Sequence, residues 1–194
     1  MNENHASLCP SPEWAEYIQS EILPTLASHA ALGEEMLEIG PGPGAATEWL
    51  CNRVKQLTAL EIDGEAAALL TERFAGRNVE VAVGDATRMA YPDAAFDSVG
   101  CFTMLHHVPT QTLQNRIFAE ALRVLRPGGV FIASDSVPSD GLHHFHEGDT
   151  YNPLEPGTIV SRLQTIGFAR LTIMVNDVLM LVAHKQAEEP EASR

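Results

Sequence analysis

An α/β fold, with a doubly wound and mostly parallel sheet covered by helices on both faces, is the fold class this sequence predicts. Three observations predict it. Short apolar runs at Met36–Ile39, Leu57–Ile62, Val79–Val83, Phe96–Phe102 and Val130–Ala133 alternate with segments of helical periodicity, the pattern of βα units in a parallel sheet. The first run ends in a glycine-rich stretch, Gly40-Pro41-Gly42-Pro43-Gly44. The second and third runs end at carboxylates, Glu61 and Asp85. Right-handed crossovers between parallel strands then wind such a sheet both ways from its middle.

The elements follow in order. Residues 1–12 read as a loose arm. Ser11 before Pro12-Glu13 is a helix start, and Trp14, Tyr17, Ile18, Ile22 and Leu26 recur at three- and four-residue spacing, which predicts a helix to about Leu26. Met36–Ile39 reads as a buried strand, Ala45 to about Arg53 as a helix with Trp49 and Leu50 inward, and Leu57–Ile62 as the second strand. Glu65–Phe74, rich in alanine and leucine, reads as a helix, Val79–Val83 as a strand and Pro92-Asp93 as a turn. After the strand Phe96–Phe102 comes His106-His107. In Leu113–Leu125, residues Leu113, Ile117, Phe118, Ala121, Leu122 and Leu125 share one helical face. Arg126-Pro127-Gly128-Gly129 stops that helix, and Val130–Ala133 is the fifth strand.

Residues 136–156 break this rhythm. Their prolines, glycines and histidines, with little apolar content, predict a long loop on the substrate side. Gly157–Ile166 resumes a helix. Ala169–Val175 and Val178–His184 read as a final strand pair, antiparallel because only Asn176-Asp177 joins them. The chain of 194 residues is thus expected to form one domain over residues 1–186, with residues 187–194 a disordered tail.

Composition narrows the function. Acidic residues outnumber basic ones 26 to 12, for a formal net charge of −14. A polyanion such as DNA or RNA needs lysine and arginine to neutralise its phosphates, and an anionic membrane surface asks the same, so neither is an expected partner. No stretch of about 18 consecutive apolar residues suggests a membrane span, and the N-terminal residues lack a secretory pattern. A soluble, cytoplasmic protein is expected. The cysteines Cys9, Cys51 and Cys101 are odd in number, far apart and free of any CxxC pair, which argues against a disulfide framework or a cysteine zinc site.

The glycine run is the main chemical signal. Glycine lets a tight turn form and lets a ligand approach the backbone, and ligands of such sheets sit at the carboxyl ends of the strands. A phosphate loop would end in Gly-Lys-Ser/Thr, which is absent. The spacing is GxGxG rather than the dinucleotide GxGxxG, and Pro43 removes an N–H. Glu38, just before the loop, would repel a diphosphate and suits a ligand carrying an ammonium and a sulfonium. Glu61, about 20 residues beyond the glycines, can accept from both ribose hydroxyls. Asp85 can accept from an adenine amine while the Ala86 N–H faces a ring nitrogen.

The stretches MLEIGPGPGAAT, LTALEID, VAVGDATRMAYPDAAFDSV, LHHV and EALRVLRPGGVF together resemble the class I S-adenosylmethionine-dependent methyltransferases, from about Met36 to Ala133. The resemblance implies a Rossmann-like sheet of seven strands with the last antiparallel, and S-adenosyl-L-methionine as cofactor. It implies that Gly40, Gly42 and Gly44 line the methionine part, with Glu38 near its amino group. Glu61 would hold the ribose, Ile62 beside it would belong to the cofactor site, Asp85 and Ala86 would hold the adenine, and Cys101 and Phe102 would lie near the reacting methyl.

His106 and His107 are the candidate bases. Trp14, Tyr17, His143, His144, His146 and Tyr151 are candidates for the substrate side. The loop run His143-His144-Phe145-His146-Glu147 is dense in potential ligands but matches no named zinc spacing, so no metal site is expected. The acceptor expected is a small molecule. Two rival readings have other consequences: a nicotinamide-dependent oxidoreductase, against which the GxGxG spacing speaks, and a non-catalytic binding or scaffold protein on the same fold.

Overall fold

The computed structural model describes residues 11–188; Cys9 and most of the predicted arm and tail lie outside them. A seven-stranded sheet runs in the order β3-β2-β1-β4-β5-β7-β6. Its strands are β1 Glu35–Ile39, β2 Gln56–Glu61, β3 Val79–Val83, β4 Phe96–Phe102, β5 Leu125–Ser136, β6 Arg170–Val175 and β7 Val178–His184. The first five pair in parallel, and β7 is antiparallel to both β5 and β6. The helices are α1 Pro12–Tyr17, α2 Leu23–Ser28, α3 Ala45–Leu50, α4 Gly64–Arg73, α5 Gln111–Val124, α6 Asp140–Phe145 and α7 Pro156–Ile166. No helix of the described residues is long and apolar enough to cross a membrane.

Both faces of the sheet are covered because successive strand residues point to opposite sides. Along β5, Val130 and Ile132 join one apolar core while Phe131 and Ala133 join the other. Along β7, Met180 and Val182 alternate in the same way with Leu179, Leu181 and Ala183. One core packs Ile117, Phe118 and Leu163 of α5 and α7; the other packs Leu23, Leu26, Trp49 and Leu70 of α2, α3 and α4. Continuous apolar runs rather than alternating ones are what a sheet buried on both faces requires.

Three elements differ from the sequence expectation. The N-terminal helix is interrupted: Ile18–Ile22 takes the wider π geometry between α1 and α2. Pro24 follows at once; its missing N–H and its ring oppose regular pairing to the preceding turn, and the wider turn accommodates it. Ser11 caps α1 as expected, accepting from the Trp14 N–H at 3.2 Å. Second, β5 begins at Leu125, directly after α5, and absorbs the Arg126–Gly129 segment as a register shift between Phe96 and Ser98 of β4. A Cβ on Gly129 would sit 2.8 Å from the Asp97 carbonyl oxygen, so only glycine fits this close passage. Third, the expected long loop contains α6, capped by Ser139 through the Leu142 N–H. Its sequence carries a capping serine but almost no apolar stripe, which is why periodicity did not reveal it.

At the edge opposite the site, Asp97 ties β1 to β4. Its Oδ2 accepts the N–H groups of Glu34 and Glu35, each at 2.9 Å, and its Oδ1 pairs with Arg126. Asp97→Ala strands two backbone donors and is expected to lower unfolding stability by about 2 kcal/mol in urea titration. A change below about 0.5 kcal/mol would show these bonds to be exchangeable with water.

Candidate active site

β1 pairs with β2 on one side and β4 on the other, so strand order reverses at the β1–β4 junction and a crevice opens beyond their carboxyl ends. A cavity of about 820 Å³ lies there. Its floor is the loop after β1. Gly40, Gly42 and Gly44 all have positive φ, at 65°, 52° and 88°, a region that side chains resist. A Cβ on Gly40 would lie 2.5 Å from the Met104 side chain, whereas one on Gly42 would meet nothing within 4 Å. Gly40 and Gly42 line the cavity together with Pro41 and Pro43. Gly44 lies just behind: its α-carbon faces Leu70 of α4 and Phe74, which caps that helix, and it serves as the left-handed cap of α3.

Two buried carboxylates organise this floor. Glu38 is 1 % exposed and accepts from the Thr47 hydroxyl at 2.7 Å. Desolvation pushes its carboxyl up to about 7, opposed by the Thr47 hydrogen bond and aided by the negative charge of Glu61. Glu61 is 8 % exposed. Its Oε2 accepts the Gly42 N–H at 3.2 Å, and its Oε1 accepts those of Ile62 and Asp63 at 2.8 and 3.1 Å. It therefore staples the glycine loop to the end of β2, a role its sequence position alone did not reveal. Ile62 beside it is 71 % exposed, an apolar surface at the cavity edge. Asp85 accepts from the Thr87 N–H and hydroxyl, both at 2.8 Å, and these bonds lower its carboxyl below the usual range.

The lining thus holds four carboxylates, Glu38, Glu61, Asp63 and Asp85, with Ala86 beside the last. Among the described residues it holds no lysine or arginine. Such a wall repels a pyrophosphate and attracts a cation. Much of the remaining lining is apolar, contributed by Trp14, Ile18, Phe102, Met104, Val108, Leu113 and Ile117. Thr103 stands there with a φ of 51°, its N–H donating 2.7 Å to the Ser134 carbonyl. Strained non-glycine backbone of this kind gathers at functional sites. Neither the strain at Thr103 nor the participation of Asp63 and Met104 had any sequence signal beyond proximity to a strand end.

The remaining predicted residues divide. Phe102 lines the cavity, while Cys101 points to the other face of β4 and is wholly buried in the core, which pushes its thiol well up. Trp14 lines the cavity; Tyr17 stands behind it, ring centroids 5.8 Å apart. His107 lines the cavity and His106 packs against it, the imidazole centroids 4.1 Å apart. His106 Nδ1 lies 2.6 Å from Asp135 Oδ1, and its backbone N–H donates to the other oxygen of that fully buried carboxylate. His143 and His144 are exposed on α6, outside the lining, and His144 pairs with Glu147 at 3.5 Å. His146 turns inward and stacks on Tyr151 at 4.2 Å.

A seven-stranded sheet in this order, with an acid-walled crevice at the switch point, defines the class I methyltransferase fold, whose cofactor is S-adenosylmethionine. The model of the family described as "Methyltransferase domain" matches residues 37–133, and the chain belongs to that family. A fatty-acid O-methyltransferase of Mycolicibacterium smegmatis is 30% identical over 68% of this chain and 47% of its own length. A ribosomal RNA small subunit methyltransferase A of Acidobacterium capsulatum is 50% identical over 26% of this chain and 18% of its own. A crystal structure of a SAM-dependent methyltransferase from Methanosarcina mazei superposes with a TM-score of 0.71 at 20% identity, over 85% of this chain and 98% of that one. The chain spans less than half the length of the first curated relatives it matches.

Proposed function

We propose that this protein transfers the methyl group of S-adenosylmethionine to a small, largely apolar acceptor. The observation that carries the reading is the cavity itself: four carboxylates and, among the described residues, no lysine or arginine line it beside a set of apolar side chains. A cofactor with an ammonium, a sulfonium, a ribose and an adenine finds chemically matched partners in Glu38, Glu61 and Asp85, in the order of the strands that bear them. When bound, it supplies an already activated methyl group, so the protein's work is alignment and exclusion of water.

In this reading Glu38 accepts from the amino group and Glu61 from the ribose, using lone pairs beyond those its backbone donors occupy. Ile62 covers one face of the adenine, and Asp85 with the Ala86 N–H reads its edge. The acceptor enters along the apolar lining, beside Trp14 and Phe102. The cofactor would supply its methyl group to the acceptor's heteroatom, and the lining would hold that heteroatom in line and exclude water. His107, backed by His106 and Asp135, receives the acceptor's proton where one must be lost.

Relatives named for fatty acids and for ribosomal RNA pull the acceptor in different directions. The apolar lining and the net charge of −14 support the former class, because RNA binding calls for an excess of cations and here acidic residues outnumber basic ones 26 to 12. The test is transfer of radiolabelled methyl to a panel of fatty acids, small phenols, amines and purified ribosomal RNA. Label expected in the organic extract, and absent from RNA, supports the reading; label in RNA alone would overturn it. His107→Ala is expected to slow transfer to an oxygen acceptor by about 100-fold at saturating cofactor, and an unchanged rate would remove it from proton transfer.

A further inference from the structure

Three imidazoles from two segments far apart in sequence meet beside the cavity wall. His106 and His107 belong to the short 3-10 turn Leu105–His107, and His146 follows α6 about forty residues later. The His146 ring lies 5.1 Å from that of His106 and 5.7 Å from that of His107, centroid to centroid. One ring nitrogen from each of the three falls within 4.8 Å of the others.

We propose that His106, His107 and His146 form a binding site for one divalent transition-metal ion of the Zn²⁺ type.

The chemistry of the donors supports it. Neutral imidazole prefers zinc, copper and nickel over magnesium or calcium. Metal-bound histidines hold their second ring nitrogen on a carboxylate or a backbone carbonyl, which fixes the tautomer and orients the ring. Both buried rings are held in this way: His106 Nδ1 on Asp135 at 2.6 Å, and His146 Nδ1 on the Leu142 carbonyl at 2.6 Å. Each would then coordinate through Nε2. Asp135, fully buried behind His106, brings a negative charge that offsets that of an ion.

The two segments are also braced. Asn152 donates through its N–H to the His106 carbonyl and through its side chain to the Val108 carbonyl, at 2.7 and 2.9 Å. Gln114 bridges the Leu105 and Asn152 carbonyls. Zn–N bonds of about 2.0–2.1 Å in a tetrahedron set the nitrogens about 3.3 Å apart, so the cluster closes by on the order of 1.5 Å on loading. Because His107 also lines the cavity, the ion would stand at the cavity wall.

The experiment is titration of the untagged, metal-stripped full chain with Zn²⁺ by calorimetry and with Co²⁺ by visible absorption. One equivalent is expected to bind, and Co²⁺ is expected to give the intense visible bands of a low-coordinate nitrogen site. His107→Ala and His146→Ala should each weaken binding at least about 10-fold, and Asp135→Asn by about 10-fold through the orientation of His106. His143→Ala and His144→Ala, on the exposed side of α6, should bind as the parent does. Circular dichroism melting verifies each variant; if His146→Ala does not fold, the half-buried His107 carries the test. No saturable binding at millimolar Zn²⁺ would overturn the proposal. So would equal affinity in folded His107→Ala, or losses as large in His144→Ala. None of these readouts depends on cofactor binding, so the site is tested apart from methyl transfer; a bound ion would occupy the imidazole lone pairs, so His107 accepts a proton only in the metal-free protein.

Discussion

Glu38→Gln is expected to make the ligand-free protein more stable and to weaken its affinity for S-adenosylmethionine by about 100-fold. Glu38 is buried, and desolvation raises its carboxyl from an ordinary 4.5 to about 7. A folded-state value above the unfolded one means that the ionised group opposes folding. The penalty is absent below about 4.5, grows as pH rises, and is complete above about 7. The gap corresponds to about 3 kcal/mol at pH 8. Glutamine keeps an acceptor for the Thr47 hydroxyl and carries no charge, so thermal melts at pH 8 should move up by several degrees while melts at pH 4 coincide. The same substitution withdraws the charge facing the cofactor's ammonium, and affinity should fall by about 100-fold, near the upper range for a charge-assisted hydrogen bond. In the parent protein, binding a cation favours ionised Glu38. Affinity should therefore weaken as pH drops from 8 to 6, with proton release visible in buffers of different ionisation enthalpy. A variant that is destabilised at pH 8, or that binds as well as the parent, would contradict this account of Glu38.

Glu61→Ala is expected to weaken cofactor binding by at least about 100-fold, for two reasons that can be separated. It removes the acceptor proposed for the ribose, and it releases the N–H groups of Gly42, Ile62 and Asp63 that shape the loop. Glu61→Gln retains acceptor capacity on one oxygen only, so it should fall between parent and alanine. The negative charge of Glu61 also holds the Glu38 carboxyl up; in either variant the pH midpoint for Glu38 should move down. A loss of affinity with no movement of that midpoint would mean that the two carboxylates do not act on one another across the loop.

Much of this site was legible in the chain because its chemistry sits where strands end. Glu38, Glu61 and Asp85 each close an apolar run, and glycines after the first run mark a backbone approach. The structure assembles them around one cavity because parallel strands bring their carboxyl ends to one edge. Cys101 and Phe102 show the limit of such reading. Adjacent residues of a strand face opposite ways, so one of the two had to leave the cavity, and strand position alone did not say which. The antiparallel pairing of the last two strands was legible from the short Asn176-Asp177 connection and agreed with the family resemblance, whereas the order of the strands in the sheet had no signal in periodicity. The histidine cluster was illegible for a plainer reason. The dense run at residues 143–147 drew attention to neighbours in sequence, whereas α6 turns His143 and His144 outward and only His146 inward, against partners contributed by another segment. The helix itself was hidden, since six residues without an apolar stripe carry no period to read.

The central claim, that the acid-walled cavity holds S-adenosylmethionine, is tested most directly by isothermal titration of the full chain with S-adenosylmethionine and S-adenosylhomocysteine at pH 8, beside Glu61→Ala. The account predicts one site per chain with micromolar affinity for both ligands, and its loss in a variant that remains folded. Absence of binding to either ligand by folded protein, or equal binding by Glu61→Ala, would contradict it.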